Sequence, residues 1–179
     1  LLLGSSLPAT HAADQTATLT GSGNWSTPGV WSTNPLFPNN GNGGFTYDVI
    51  QNANSVTVNQ AITIEKYILT GGTNTGAGFT LTTNDLLTFT GGTMTGAGTV
   101  QADGGVTFSG AGTKDIISSR TLNLGGNSTW TAGQIRLGFS SVLTIESGAT
   151  LDTNFDGTIG NAFGGSATIK TDITVSAAS

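Results

Sequence analysis

Two nine-residue segments of the chain, 70–78 and 90–98, are almost identical. The first reads TGGTNTGAG and the second TGGTMTGAG, so they differ only at Asn74 and Met94. A repeat at a spacing of about 20 residues is typical of a β-solenoid, in which each coil buries its apolar side chains only by stacking on its neighbours. This repeat constrains the fold more than any other feature of the sequence.

A short alternation of apolar and polar residues, closed by Gly, recurs through the same region. Alternation with a period of two places the apolar residues on one face of a strand and the Thr residues on the other, and Gly permits the turn to the next strand. The copies begin 20, 19, 16 and 21 residues apart and occupy 67–71, 87–91, 106–110, 122–125 and 143–148.

This pattern predicts an all-β fold, a single-stranded parallel β-helix (β-solenoid) with about 20 residues per coil. We expect right-handed coils because parallel crossover connections strongly prefer that hand. The alternative fold is an antiparallel β-sandwich, which would require tight Asn-Gly or Asp-Gly hairpins. The central candidate for such a hairpin, Asp103-Gly104, lies inside a repeat unit.

The composition argues against several classes of partner and chemistry. Thr (32) and Gly (28) make up a third of the 179 residues, which favours strands and turns. Five basic residues are scattered among ten acidic ones, so no nucleic-acid surface is predicted. No apolar run approaches the roughly 20 residues of a membrane-spanning helix. The absence of Cys excludes disulfides and thiol chemistry.

The two ends of the chain differ from the repeats. Residues 1–13 look like the end of a secretory signal peptide, with an apolar stretch at 1–7 and a small-x-small cleavage sequence at 10–12. We therefore expect a secreted or cell-surface location, and loss of His11 on export. At the other end the sequence stops directly after a strand pattern, so residues 48–179 are expected to be β-helix repeats truncated at the C-terminus.

Residues 14–47 are rich in aromatic residues and proline, and they are predicted to form an N-terminal aromatic cap. A solenoid needs a cap because its first coil would otherwise expose unpaired strand edges and one end of the core. The alternative interpretation is a carbohydrate-binding platform, in which the rings of Trp25, Trp31 and Tyr47 stack on sugars.

Asp152, Asn154 and Asp156 have the spacing of the first oxygen ligands of an EF-hand calcium loop, with Gly157 at the sixth position. The twelfth position, which normally supplies a bidentate carboxylate, is Phe163. The segment predicts either a weak calcium site or a solvated turn between two strands. No other cofactor is expected.

Thr73-Asn74-Thr75 and Thr93-Met94-Thr95 lie one repeat apart and predict a small stacked array of outward Thr side chains, as on ice-binding β-solenoids. The alternative is that these are ordinary outward Thr residues with high strand propensity. The same hydroxyl ladders could hydrogen-bond glycans.

The segment 23–31, together with 47–50 and the alternating run 56–64, resembles the start of secreted bacterial β-helix proteins. These large surface proteins are similar to autotransporter passengers and filamentous adhesins, which are rich in TGG-x-TGAGT repeats. The resemblance implies a non-enzymatic structural and adhesive stalk whose partners are glycans or other cell-surface and matrix components. Some relatives of this architecture are polysaccharide lyases or hydrolases, so the alternative is an accessory, carbohydrate-contacting part of such a protein.

Residue types suited to catalysis are scarce, and we expect no enzymatic activity. Without Cys, and with His11 lost on export, the chain lacks the groups of a nucleophilic triad, and the only glutamates, Glu65 and Glu146, are far apart in the repeats. Asp115 with Arg120 or Arg136 is similar to part of a polysaccharide lyase site, but it lacks the further carboxylates of such sites.

Overall fold

The computed structural model describes residues 13–153 and 155–171, in which the backbone forms three β-sheets. The first sheet contains β1 (Ala13–Thr18), β3 (Phe45–Gln51), β6 (Lys66–Leu69), β9 (Leu87–Phe89), β12 (Val106–Phe108), β15 (Ser128–Trp130) and β18 (Leu151–Thr153). The second contains β2 (Gly23–Asn24), β4 (Ser55–Val58), β7 (Thr73–Gly76), β10 (Gly92–Thr95), β13 (Lys114–Ile117), β16 (Ile135–Gly138) and β19 (Ile159–Asn161). The third contains β5 (Ile62–Ile64), β8 (Thr80–Thr83), β11 (Gly98–Ala102), β14 (Arg120–Leu124), β17 (Ser141–Ile145) and β20 (Ala167–Thr171).

From β3 onward the chain visits the three sheets in turn, and each strand pairs in parallel with the strand one coil away. Asp48 of β3 pairs with Lys66 of β6, and Tyr67 pairs with Leu87 of β9, so successive coils are 18 and 20 residues long here. The average is about 21 residues per turn. The predicted parallel β-solenoid is confirmed, and the antiparallel sandwich is excluded.

The predicted alternation of side chains is also confirmed. In β9, Leu87 and Phe89 are buried and Thr88 is half-buried on the outer face. Phe89 stacks on Phe108 of the next coil, with ring centroids 6.2 Å apart. The core is therefore a column of side chains along the axis, and each member is covered by the coils above and below it.

A tight turn follows β6 and explains why the repeat contains paired glycines. Gly72 has φ of 77°, in the left-handed region that favours glycine. A Cβ at this position would lie 2.2 Å from the backbone oxygen of Asn54 in the previous coil. A Cβ on Gly92 would likewise lie 2.9 Å from the backbone oxygen of Gly72. The turns stack so closely that side chains have no room between them.

The first described coil is closed by the loop between β2 and β3, which contains two 3-10 turns, Pro28–Val30 and Asn42–Gly44. The backbone N–H of Asn40 donates to the carbonyl of Thr63 at 2.7 Å, and Asn39 Oδ1 accepts from the N–H of Thr63 at 2.9 Å. The loop thereby satisfies the outer edge of β5. β1 and β2 lie within 13–47 and already pair with β3 and β4.

Some predictions fall on residues that the structure does not describe. The signal-peptide segment 1–13, with His11, lies outside the described residues apart from Ala13, where β1 begins. Asn154 and residues 172–179 also lie outside them. Among the described residues, no helix has the length and apolar character needed to cross a membrane.

Candidate functional site

One regular outward surface is a set of hydroxyl side chains on the second sheet, which we call the threonine array. Its side chains come from β4, β7 and β10 and form two columns along the axis. One column is Ser55, Thr73 and Thr93, and the other is Thr57, Thr75 and Thr95. Neighbouring strands of a sheet are about 4.8 Å apart, so the hydroxyls repeat at that interval along each column.

The array follows from the repeat in the sequence. Thr residues two positions apart point to the same face, while the residue between them points inward: Val56, Asn74 and Met94 are buried. The predicted stacking of Thr73 on Thr93 is confirmed by the register. The third row, from β4, was not predicted because Ser55-Val56-Thr57 lies outside the repeat.

An ion pair ends the array. Thr93 is followed in its column by Asp115 and then by Arg136. Arg136 donates from Nε to Asp115 Oδ1 at 2.6 Å and from Nη2 to Oδ2 at 2.7 Å, which raises the pKa of the guanidinium. Its guanidinium carbon also lies 4.9 Å from the ring centroid of Phe163. The arginine is held in a bidentate pair and is poorly placed to act as a base.

Arg120, the other candidate partner of Asp115, is instead buried in the core. Its Nη2 donates to Asn74 Oδ1 at 2.6 Å, and Asn74 Nδ2 donates to the hydroxyl of Tyr67 at 3.0 Å. The Tyr67 hydroxyl donates to Gln51 Oε1, and Gln51 Nε2 donates to the carbonyl of Thr73 at 3.0 Å. Burial lowers the pKa of Arg120 to about 10 and raises that of Tyr67. The pairing of Asp115 with Arg120, one of the two options, is therefore absent.

Lys114 is a second buried cation that the sequence analysis missed. Its ammonium donates to the carbonyls of Gly110, Gly112 and Ala132 at 2.9, 2.9 and 3.1 Å. Burial lowers the pKa of Lys114. The ammonium joins two successive turns and plays a structural part.

The burial of Arg120 could have been predicted from the alternation of its strand. Residue 120 lies two positions before Leu122 and four before Leu124, so all three side chains point to the inner face.

The three aromatic residues considered for carbohydrate binding are buried. Trp25, Trp31 and Tyr47 are 0, 2 and 1% exposed. Trp25 Nε1 donates to the carbonyl of Pro38 and Trp31 Nε1 to that of Trp25, both at 2.7 Å, and the two indole centroids are 4.8 Å apart. Because their ring faces contact the core, they offer no surface on which a sugar could stack. The carbohydrate platform gains no support from this geometry.

The calcium-loop candidate lies at the corner between β18 and β19. Asp152, within β18, and Asp156 are both exposed, and Asn154 lies outside the described residues. Phe163, at the position of the bidentate ligand, contacts Arg136 and offers no oxygen. In residues 13–153 and 155–171, no group of three or more His, Asp or Glu side chains could hold a metal ion. The weak calcium site stays a prediction, because Asn154, one of its three expected ligands, lies outside the described residues.

Both glutamates are held by amide side chains. Glu65 Oε1 accepts from Asn40 and Asn84 at 2.7 and 2.9 Å, which ties the N-terminal loop to the next coil. Gln101 Nε2 donates both to Glu146 at 3.0 Å and to Asp103 at 2.9 Å. The second arrangement joins two carboxylates that were not predicted to be neighbours, and the Gln101 amide bridges them.

Comparison of this chain with family models, with curated proteins and with solved structures finds no match. The class of protein is therefore defined by its own architecture. The chain is a parallel β-solenoid with a stacked apolar core, two buried cations and outward ladders of Thr and amide side chains.

Proposed function

We propose that this chain is a non-enzymatic structural and adhesive module, a stalk of an exported bacterial surface protein. The observation that carries the proposal is the unbroken stacking of three parallel sheets along one axis, from β1 to β20. Such a rod places its two ends far apart and repeats the same outward chemistry along its length. The signal-peptide pattern and the resemblance to adhesin-type repeats support export and a surface location.

The threonine array supports the adhesive part of the proposal. It offers closely spaced hydroxyls on one parallel sheet, and its partners would be glycans or other uncharged polar components of a surface or matrix. Many weak contacts in a regular array sum to useful adhesion when several stalks engage one surface. The carbohydrate-degrading alternative would also use such contacts, with the chemistry supplied elsewhere.

The test is adhesion of beads coated with this chain to immobilised chitin, cellulose, mucin and fibronectin. The variant T73V/T75V/T93V/T95V removes array hydroxyls and keeps β-branched side chains of similar shape. The matched control is T88V/T107V/T129V, a ladder in register on the first sheet. We expect adhesion to be lost in the array variant and kept in the control. Failure to adhere to any surface, or release of reducing sugars from the glycans, contradicts the proposal.

A second candidate function, ice binding, is favoured by one observation, the in-register stacking of three rows of hydroxyls in the threonine array. Its test is thermal hysteresis and ice-crystal shape in dilute solution. Thr75→Lys, at the centre of the array, should abolish both effects, and Thr107→Lys on the first sheet should leave them unchanged. Absence of hysteresis in the wild-type chain removes this candidate.

A further inference from the structure

The repeated segments 70–78 and 90–98 create an ambiguity that the fold must resolve. They contribute β7 and β10 to the same sheet, and they share every glycine and every outward Thr. Either segment could therefore stack on β4 with the same turn glycines and the same outer face. A chain that used 90–98 in place of 70–78 would be displaced by one coil, with one repeat excluded from the stack. Nothing in the shared residues distinguishes the two arrangements.

The one difference between the segments points into the core. Asn74 and Met94 pair in register, and both side chains are fully buried. Met94 is surrounded by core residues, whereas Asn74 accepts from Arg120 Nη2 at 2.6 Å and donates to the Tyr67 hydroxyl at 3.0 Å. A buried polar side chain between the apolar side chains of Val56 and Met94 thus distinguishes one coil from its near copy.

The Arg120 side chain contacts Asn74 from two coils away. It pairs in register with Gly98, which lies on the coil between Arg120 and Asn74. Ideal Cβ atoms on Gly98 and Gly76 would lie 3.4 and 2.0 Å from Arg120 Nη1. These glycines therefore leave the space through which the side chain reaches Asn74. The long side chain makes its contact only if one particular coil lies beneath.

Stacking in the wrong register would leave the buried guanidinium of Arg120 without its hydrogen bond to Asn74. Arg120 is fully buried, and its Nε and Nη1 have no hydrogen-bond partner among the described residues. Asn74 thus supplies the charge-assisted hydrogen bond that the guanidinium makes to the described residues. In the displaced arrangement segment 90–98 would still lie on the coil next to Arg120, and Val56 of β4, whose side chain offers no acceptor, would occupy the place of Asn74.

We propose that the buried Asn74–Arg120 pair is a register lock, which selects segment 70–78 over segment 90–98 as the partner of β4. The known parallel is a single buried Asn that sets the register of a coiled coil. The lock adds specificity rather than net stability, because a buried ion replaced by apolar residues of similar size often leaves stability unchanged or raised.

Engineered cysteines test the lock directly, because the natural chain contains no Cys. In the native register Thr57 pairs with Thr75, so T57C/T75C reports correct stacking. In the displaced register Thr95 takes the place of Thr75, so T57C/T95C reports the error. Each pair is unfolded in denaturant, refolded, cross-linked with a short bifunctional thiol reagent and quantified by mass spectrometry.

We expect the wild-type background to cross-link through T57C/T75C and scarcely at all through T57C/T95C. Adding N74M should raise the T57C/T95C product about tenfold or more, since hydrogen bonds to charged groups are among the strongest in proteins. The matched control, Met94→Leu, keeps that position apolar and should leave the product unchanged.

The double variant N74M/R120M separates specificity from stability. It removes both partners, so it should fold with a melting temperature no lower than that of N74M and still give the raised T57C/T95C product. A double variant that cross-links only in the native register overturns the lock. One that does not fold also overturns it, because the pair would then be required for stability.

Discussion

The two ends of the described solenoid differ in whether the core of their outermost coil is covered. At the N-terminal end a loop carries Trp25 and Trp31 across the core, and both are almost completely buried. At the other end Ile169 occupies the same inward column as Leu143, yet it is 48% exposed, whereas Leu143 is fully buried. An inward position in a solenoid is therefore buried only when another coil or a loop covers it.

The inward positions of the last described coil are also more polar. Thr153 pairs with Trp130, and Asn161 pairs with Leu137, so exposed polar residues replace buried apolar ones. The comparison teaches that the core is not a property of strand patterning alone. The same alternation yields a buried column in the middle and a half-exposed one at the end.

The largest expected loss of stability comes from a substitution at the covered, N-terminal end. Trp25→Ala should lower the free energy of unfolding by about 3–5 kcal/mol, because it leaves a large cavity and removes the hydrogen bond to Pro38. Urea denaturation followed by circular dichroism measures the change. The matched change at the other end, Ile169→Ala, should cost well under half as much because the side chain is already half exposed. Equal losses for the two variants would contradict the comparison.

A smaller loss of stability is expected when a turn glycine is replaced by alanine, either in the stacked coils or in the last described coil. Gly72→Ala should cost about 3 kcal/mol, since it combines a left-handed backbone with a Cβ 2.2 Å from a backbone oxygen. Gly164, in the last described coil, has φ of 75° and no atom within 4 Å of such a Cβ. Gly164→Ala should cost about 1–2 kcal/mol from the backbone alone. Thermal unfolding of both variants gives the difference, which should vanish if stacked turns can separate freely.

The smallest effect is a dependence of stability on pH that arises from two groups buried in the middle of the solenoid, Tyr67 and Arg120. Burial raises the pKa of Tyr67, so above pH 10 the unfolded chain loses a proton that the folded chain keeps, and stability falls as the pH rises. Burial lowers the pKa of Arg120 to about 10, so between pH 10 and pH 12.5 the folded chain releases a proton first, and stability rises. The two contributions oppose each other in the wild-type chain.

Single variants separate these contributions. Relative to the wild type, Arg120→Met should lose stability between pH 10 and pH 12, with a slope of at most about 1.4 kcal/mol per pH unit, and Tyr67→Phe should gain it. Isothermal urea titrations at each pH provide the slopes. Parallel slopes in the wild type and both variants would show that neither group changes its protonation differently in the folded and unfolded chains.

Much of the architecture was predictable because it is local. The period-two alternation in segments such as 87–91 specifies which residues face inward, and the 20-residue repeat specifies what stacks on what. The stacking of Thr73 on Thr93 followed from that repeat alone. The coil length was close to that observed, about 20 residues against about 21.

The remainder depends on contacts distant in sequence or on segments without a period. Trp25 and Trp31 lie in a loop where no alternation shows which way a side chain points, so burial and a sugar platform were both open. Arg120 reaches Asn74 across 46 residues. Gln101, which also binds Asp103, reaches Glu146 across 45 residues. Such partners can be identified only from the structure, because stacking of the coils is what brings them together.

The hydrogen bonds that join the coils have a mechanical consequence. In a parallel ladder they run roughly along the solenoid axis, so tension between the two ends loads the coils one after another, and the strands do not share it side by side. The least covered coil, β18–β20, should detach first. Each coil of about 21 residues then releases roughly 70 Å of extended chain, whereas it occupied only about 4.8 Å of the rod. A stretched molecule would therefore lengthen in discrete steps and keep its remaining coils folded.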